Sequence, residues 1–132
     1  MELSHIFHPN ELIMVDYDAV YFTQDNNGKK VRKPFTELIC VLPKAEKEII
    51  LKYLQYGLEC GAVLGKMTDE KTQLNITGNW TIYTDGTYSW TTKIIYHFRE
   101  YDMMLPDKFL EHIKQQSEPA RWKYLRSRLL SR

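Results

Sequence analysis

Between Glu11 and Phe22 the odd positions Ile13, Val15, Tyr17, Ala19 and Tyr21 are apolar or aromatic, while the even ones include Asp16 and Asp18. Side chains of an extended chain alternate between two faces, so this pattern predicts a half-buried strand. Asp25-Asn26-Asn27-Gly28 follows, a run of residues that tolerate positive φ. The chain then returns through Lys29 to Pro34 into the apolar run Leu38 to Leu42, as a hairpin would.

The period changes after Pro43. Lys44-Ala45-Glu46-Lys47-Glu48 begins a helix that carries Ile49, Ile50, Tyr53 and Leu54 on one side, with the proline in its first turn. Gly57 or Gly61 ends it, a short extended piece follows at Ala62 to Leu64, and Lys66 to Asn79 reads as a polar surface loop. Further on, Thr91 or Thr92 caps a helix bearing Ile94, Ile95, Phe98 and Tyr101 and ending near Asp102. Pro106 opens another at Asp107, with Phe109, Leu110 and Ile113 inward, and Pro119 opens a last one with Trp122, Leu125 and Leu129. The succession predicts an α+β fold, an antiparallel sheet built from hairpins with helices packed on one side. At 132 residues, 1–132 read as a single globular domain, long enough to bury a core without disulfides or metals.

The densest local signal is the stretch Trp80 to Trp90, folded about Asp85-Gly86, a preferred pair for a two-residue hairpin turn. With Thr84 opposite Thr87, Tyr83 faces Tyr88 and Thr81 faces Trp90, which gathers Thr81, Tyr83, Tyr88 and Trp90 on one side. The other side holds Trp80, Ile82, Thr84, Thr87, Ser89 and Thr91. Two roles fit the aromatic face: a lid packed on the following helix, or a platform for a partner. Solvent exposure of Tyr83, Tyr88 and Trp90 separates them.

Charge narrows the partners. Eighteen basic residues against seventeen acidic ones leave a net charge of +1, so no whole-molecule field draws nucleic acid or an anionic membrane. The start Met-Glu-Leu-Ser-His-Ile-Phe-His lacks a basic run ahead of an apolar one, and no stretch approaches about 18 apolar residues. A cytoplasmic location without membrane contact is the expectation. Cys40 and Cys60 have no Cys-x-x-Cys spacing and read as buried free thiols.

Candidate chemistry is sparse. Asp16 and Asp18 share one strand face, where they suit an acid-base pair, a divalent cation, an acidic contact patch or plain solvation. His5 and His8 lie near the terminus and His97 and His112 on different helices, so no metal is assigned and no cofactor is implied. No Gly-rich phosphate loop, nucleophile elbow or His-Glu-x-x-His element occurs, so no catalytic residue is assigned, although an active site built from scattered residues carries no such mark. The tail Arg121, Lys123, Arg126, Arg128 and Arg132 interleaves with Trp122 and Tyr124. It suits RNA phosphates and stacking, and equally the solvent side of an amphipathic helix.

Thr84-Asp85-Gly86, then Trp90, Tyr96-His97, Tyr101, Leu105-Pro106, Phe109 and His112 form an ordered set. This order resembles small bacterial immunity proteins of polymorphic-toxin and contact-dependent inhibition systems, over about half the chain from the Tyr53 helix to Ile113. The resemblance implies a protein that binds one cognate toxin protein of its own cell and blocks its active site or its access to substrate. Such inhibition needs aromatic anchors and complementary charge rather than chemistry of its own. Tyr83, Tyr88, Trp90, Asp16 and Asp18 are the candidate contacts. The alternatives are a small RNA-binding accessory protein using the basic C-terminal helix, an interaction domain of another kind, and an enzyme without a recognisable motif.

Overall fold

Strand and helix alternate where the polarity pattern changes period, and the order of elements follows from it. The computed structural model describes residues 12–15, 22–63, 65–76, 80–116 and 119. In chain order these form β1 (Ile13–Met14), β2 (Phe22–Gln24), β3 (Lys30–Arg32), a 3-10 turn at Phe35–Leu38 and α1 (Lys44–Gln55). There follow β4 (Leu58–Val63), β5 (Met67–Thr68), β6 (Asn75–Ile76), β7 (Trp80–Thr84), β8 (Tyr88–Thr91), α2 (Thr92–Tyr101) and α3 (Asp107–Gln115). The fold is α+β. Its main sheet has the order β1-β8-β7-β4, and two-stranded ribbons β2-β3 and β5-β6 stand apart from it.

The main sheet is mixed, because β1 joins β8 in parallel while β7 pairs antiparallel with both β8 and β4. Of the strand expected from Glu11 to Phe22, the described residues include β1 and the start of β2, and Asp16, Tyr17, Asp18, Ala19 and Tyr21 lie outside them. Val15 is buried as the alternation requires, whereas Ile13 is exposed on the edge strand. The first hairpin turns where expected, Asp25 accepting the amides of Asn27 and Lys29 and Gly28 taking φ +77°. It pairs β2 with β3 alone, however, and the apolar run Leu38 to Leu42 leaves the 3-10 turn with an isolated bridge at Ile39 and no strand.

Helix boundaries fall where proline and polarity place them. Pro43 and Pro106 are the N-caps of α1 and α3, and Asp102 closes α2 in the left-handed conformation at φ 56°, its N–H donating to the carbonyls of His97 and Phe98. Helix α1 buries Ile50, Tyr53 and Leu54 but leaves Ile49 68% exposed, because its core stripe is narrow and Ile49 falls on the flank. Thr92 caps nothing. Its hydroxyl instead accepts the amide of Thr81 and donates to the Thr81 carbonyl, tying the start of α2 to β7.

Gly57 follows α1 but is not its left-handed stop, and β4 starts one residue later, ahead of the expected extended piece. Its glycine serves a close approach: a Cβ there would stand 2.7 Å from Cζ2 of Trp90. The core gathers α1, α2 and α3 on one face of the sheet, through Ile50, Tyr53, Leu54, Trp90, Ile94, Ile95, Phe98, Leu105, Phe109 and Ile113. Leu38 and Met103 form a smaller nucleus with Phe22, Phe35 and Met104, where Ile39 bridges Met103. Cys40 and Cys60 are free but exposed, not buried; Cys60 sits at the irregularity where β4 shifts register against β7. Among the described residues no helix is long and apolar enough to cross a membrane.

Candidate functional site

The β7-β8 hairpin turns at Asp85-Gly86, with Gly86 at φ +95°, yet its register differs from the one the pair implies. Thr84 opposes Ser89, Tyr83 opposes Trp90 and Ile82 opposes Thr91. Side chains widen the turn by replacing ladder bonds. The Asp85 carboxylate accepts the amides of Thr87 and Tyr88 at 2.9 and 2.8 Å, while the Thr84 hydroxyl donates to the Tyr88 carbonyl at 2.7 Å. The slip is two residues, so each side chain keeps its face and Tyr83, Tyr88 and Trp90 still stand together.

That face meets the helices. Trp90 is 1% exposed, its indole N–H donates to the Leu54 carbonyl at the end of α1, and its ring stacks with Tyr53 at 6.0 Å and meets Phe109 at 5.4 Å. Tyr88 is half-buried against Phe109 and His112, and Tyr83 is half-buried on the core. Exposure therefore puts Trp90 in the lid, beyond reach of a partner.

The second oxygen of Asp85 draws three elements together. It accepts the Tyr53 hydroxyl from α1 and the Nε2–H of His112 from α3, the latter at 2.7 Å. The Asp85 side chain is 3% exposed, and that of His112 20%. Burial and the neighbouring Asp85 carboxylate hold the Tyr53 phenol far above its ordinary range, so it acts as a fixed donor.

A parallel cluster lies where a plain polar loop was expected. Met67–Thr68 and Asn75–Ile76 pair as the β5-β6 ribbon, and Asp69, 4% exposed, anchors the turn between them. One Asp69 oxygen accepts the amides of Lys71 and Thr72 at 2.8 and 3.0 Å. The other accepts the Tyr96 and Tyr101 hydroxyls from α2 at 2.7 and 2.5 Å. Burial alone would raise the Asp69 pKa, but the bonds from Tyr101, the Thr72 amide, Tyr96 and the Lys71 amide outweigh it and hold the carboxyl well below the usual range.

His97, fully buried on α2, completes this cluster. Its Nδ1–H donates to the Lys93 carbonyl at 2.7 Å and its Nε2 accepts the Glu70 amide at 2.9 Å, which fixes the neutral tautomer. Burial lowers its pKa against the opposing hydrogen bond to Lys93. The Glu70 carboxylate pairs with Arg32 at 2.6 Å and with Lys93, and Arg32 also donates to the Glu70 carbonyl at 2.7 Å, so the loop is tied to β3 as well as to α2. Each buried polar group left without its partner would cost about 1–3 kcal/mol.

Of the residues singled out in the sequence, the structure brings Tyr83, Tyr88 and Trp90 together on the core. Asp16 and Asp18, His5 and His8, and the basic residues from Arg121 onward with the helix bearing Trp122, Leu125 and Leu129 lie outside the described residues. Asp69, Glu70 and the partners that His97 and His112 find on other elements had no sequence signal beyond the turn-forming Asp85-Gly86, and Tyr53 was marked only as a core position of its helix, because these contacts join residues 23 to 38 positions apart. A cavity of about 120 Å³ opens elsewhere, lined by Cys40, Leu42, Phe98, Met104, Leu105, Asp107 and Leu110. No group of three His, Cys, Asp or Glu side chains among the described residues is placed to hold a metal ion. Compared with family models, curated proteins and solved structures, the chain matches none.

Proposed function

We propose that this chain is an immunity-type binding protein, acting in the cytoplasm, that neutralises a cognate bacterial toxin domain by direct protein-protein contact. One observation carries the reading: Asp69 and Asp85 are each saturated by two side-chain donors and two backbone amides that lock a loop onto the helices. Titratable groups spent in this way make a rigid surface, which is what inhibition by binding requires. The ordered set Asp85, Trp90, Tyr96, His97, Tyr101, Leu105, Phe109 and His112 supports it further, since these residues build that framework rather than scatter over the surface.

The experiment pairs the chain with the toxin domain encoded in the adjacent gene. Titration of the purified partners gives a saturable one-to-one complex, and co-expression restores growth of cells making the toxin. A chain that neither binds nor protects ends the proposal.

A further inference from the structure

Leu74 is 68% exposed, yet both of its backbone polar groups are hydrogen-bonded within the loop. Its carbonyl accepts the Asp69 amide at 2.8 Å and its own N–H donates to the Thr72 hydroxyl at 3.2 Å. The preceding residue, Gln73, holds φ 63°, a left-handed conformation unusual for a residue with a side chain, and is pinned by its N–H to the Asp69 carbonyl and by its Nε2 to the Glu70 carbonyl. Beneath, Asp69, Tyr96, Tyr101 and His97 give their buried polar atoms to this same loop. The result fixes the backbone beneath an apolar side chain that is mostly exposed.

Val41 is more exposed still and Ile49 equally so, but Ile49 takes its place from the helix that bears it and needs no buried polar groups to hold it. Among the described residues, Leu74 is the outward apolar tip that stands beside a strained left-handed residue and a buried carboxylate that orders its loop. From this we infer that the loop Lys71 to Leu74 is the principal contact of the chain with its protein partner, Leu74 entering an apolar pocket with an anionic rim. The rim follows from charge. Asp69 is buried and the Glu70 carboxylate is occupied by Arg32 and Lys93, while Lys71, exposed with its ammonium 5.4 Å from the centroid of the Tyr101 ring, is the charge beside the tip. A preordered anchor of this kind avoids the entropy of fixing a loop on binding.

The inference rests on the toxin-binding reading, and one titration separates the two. The probe is the toxin domain from the adjacent gene, against the full chain as wild type, Leu74→Ala, Leu74→Asp and Ile49→Asp. Leu74→Ala weakens binding about 30-fold or more and Leu74→Asp further, with thermal midpoints unchanged, while Ile49→Asp stays within about threefold of wild type. Leu74 variants that bind like wild type overturn the loop assignment and leave the binding reading standing. An Ile49→Asp loss as large as that of Leu74→Asp also overturns it, since the contact then centres on α1. A wild-type chain that does not bind removes the reading and the loop assignment with it.

Discussion

Asp85 and Asp69 are held by matching sets of donors, two from side chains and two from backbone amides, but they face different surroundings. Around Asp85 the donors Tyr53 and His112 belong to α1 and α3, and Trp90, Tyr88 and Phe109 pack beside them. Around Asp69 the donors Tyr96 and Tyr101 both come from α2, and the far side of the loop is open, with Leu74 and Lys71 exposed. The same arrangement therefore closes the core at one place and holds a surface at the other. A saturated buried carboxylate specifies geometry; what the geometry serves is decided by the apolar side chains next to it.

The comparison predicts a gradient of effects. Trp90→Ala removes the packing that makes the hairpin region part of the core, together with the bond to Leu54, and lowers unfolding free energy by about 4 kcal/mol in urea titration. Asp85→Ala leaves Tyr53, His112 and two amides without their acceptor and costs about 3 kcal/mol in the same measurement. Asp69→Ala costs less in global unfolding, about 1–2 kcal/mol, but speeds hydrogen exchange at the Lys71 and Thr72 amides well beyond that loss. Equal global losses with no local change at Lys71 and Thr72 would erase the distinction.

Acid should act through the loop cluster. Native His97 has a pKa depressed from the ordinary 6.5, so as pH falls below that value the unfolded chain takes up a proton that the native one refuses, and stability declines until native His97 protonates. Asp69, also depressed, contributes stability that is present above 3.8 and lost as pH falls through its native value. Denaturation midpoints recorded from pH 7 downward show the first slope, and His97→Gln removes it. The smallest effect belongs to Gln73→Gly, which relieves the left-handed strain and changes stability by less than about 1 kcal/mol, while raising exchange in the loop.

Much of the fold was legible because its signals are local. Pro43, Pro106 and Asp102 mark helix ends, the stripe Phe109 to Ile113 gives α3, and alternation from Trp80 to Trp90 gives both faces of the hairpin. The register within that hairpin was not legible, because Asp85 and Thr84 spend their side chains on turn backbone that a two-residue turn would have paired otherwise. The Asp69 cluster was hidden more thoroughly. Lys66 to Asn79 has a loop's composition, and nothing near Asp69 in sequence announces Tyr96, 27 residues away, or Tyr101, 32 away. Ile49 shows a subtler limit: hydrophobicity marks a candidate for the core, but which edge of a stripe is covered depends on neighbours that come from elsewhere in the chain.

The indole of Trp90 sits where β8, the end of α1 and α3 meet, dry, bonded through its N–H and flanked by the rings of Tyr53 and Phe109. That placement makes it a built-in optical probe. Its emission should lie to the blue while the hairpin stays docked, and excitation passed on from Tyr53 should fade as soon as α1 parts from the sheet. With Trp80 and Trp122 replaced by Phe, unfolding followed at this one chromophore reads separation of the layers, and a loop that loosens around Leu74 alone should leave its light unchanged.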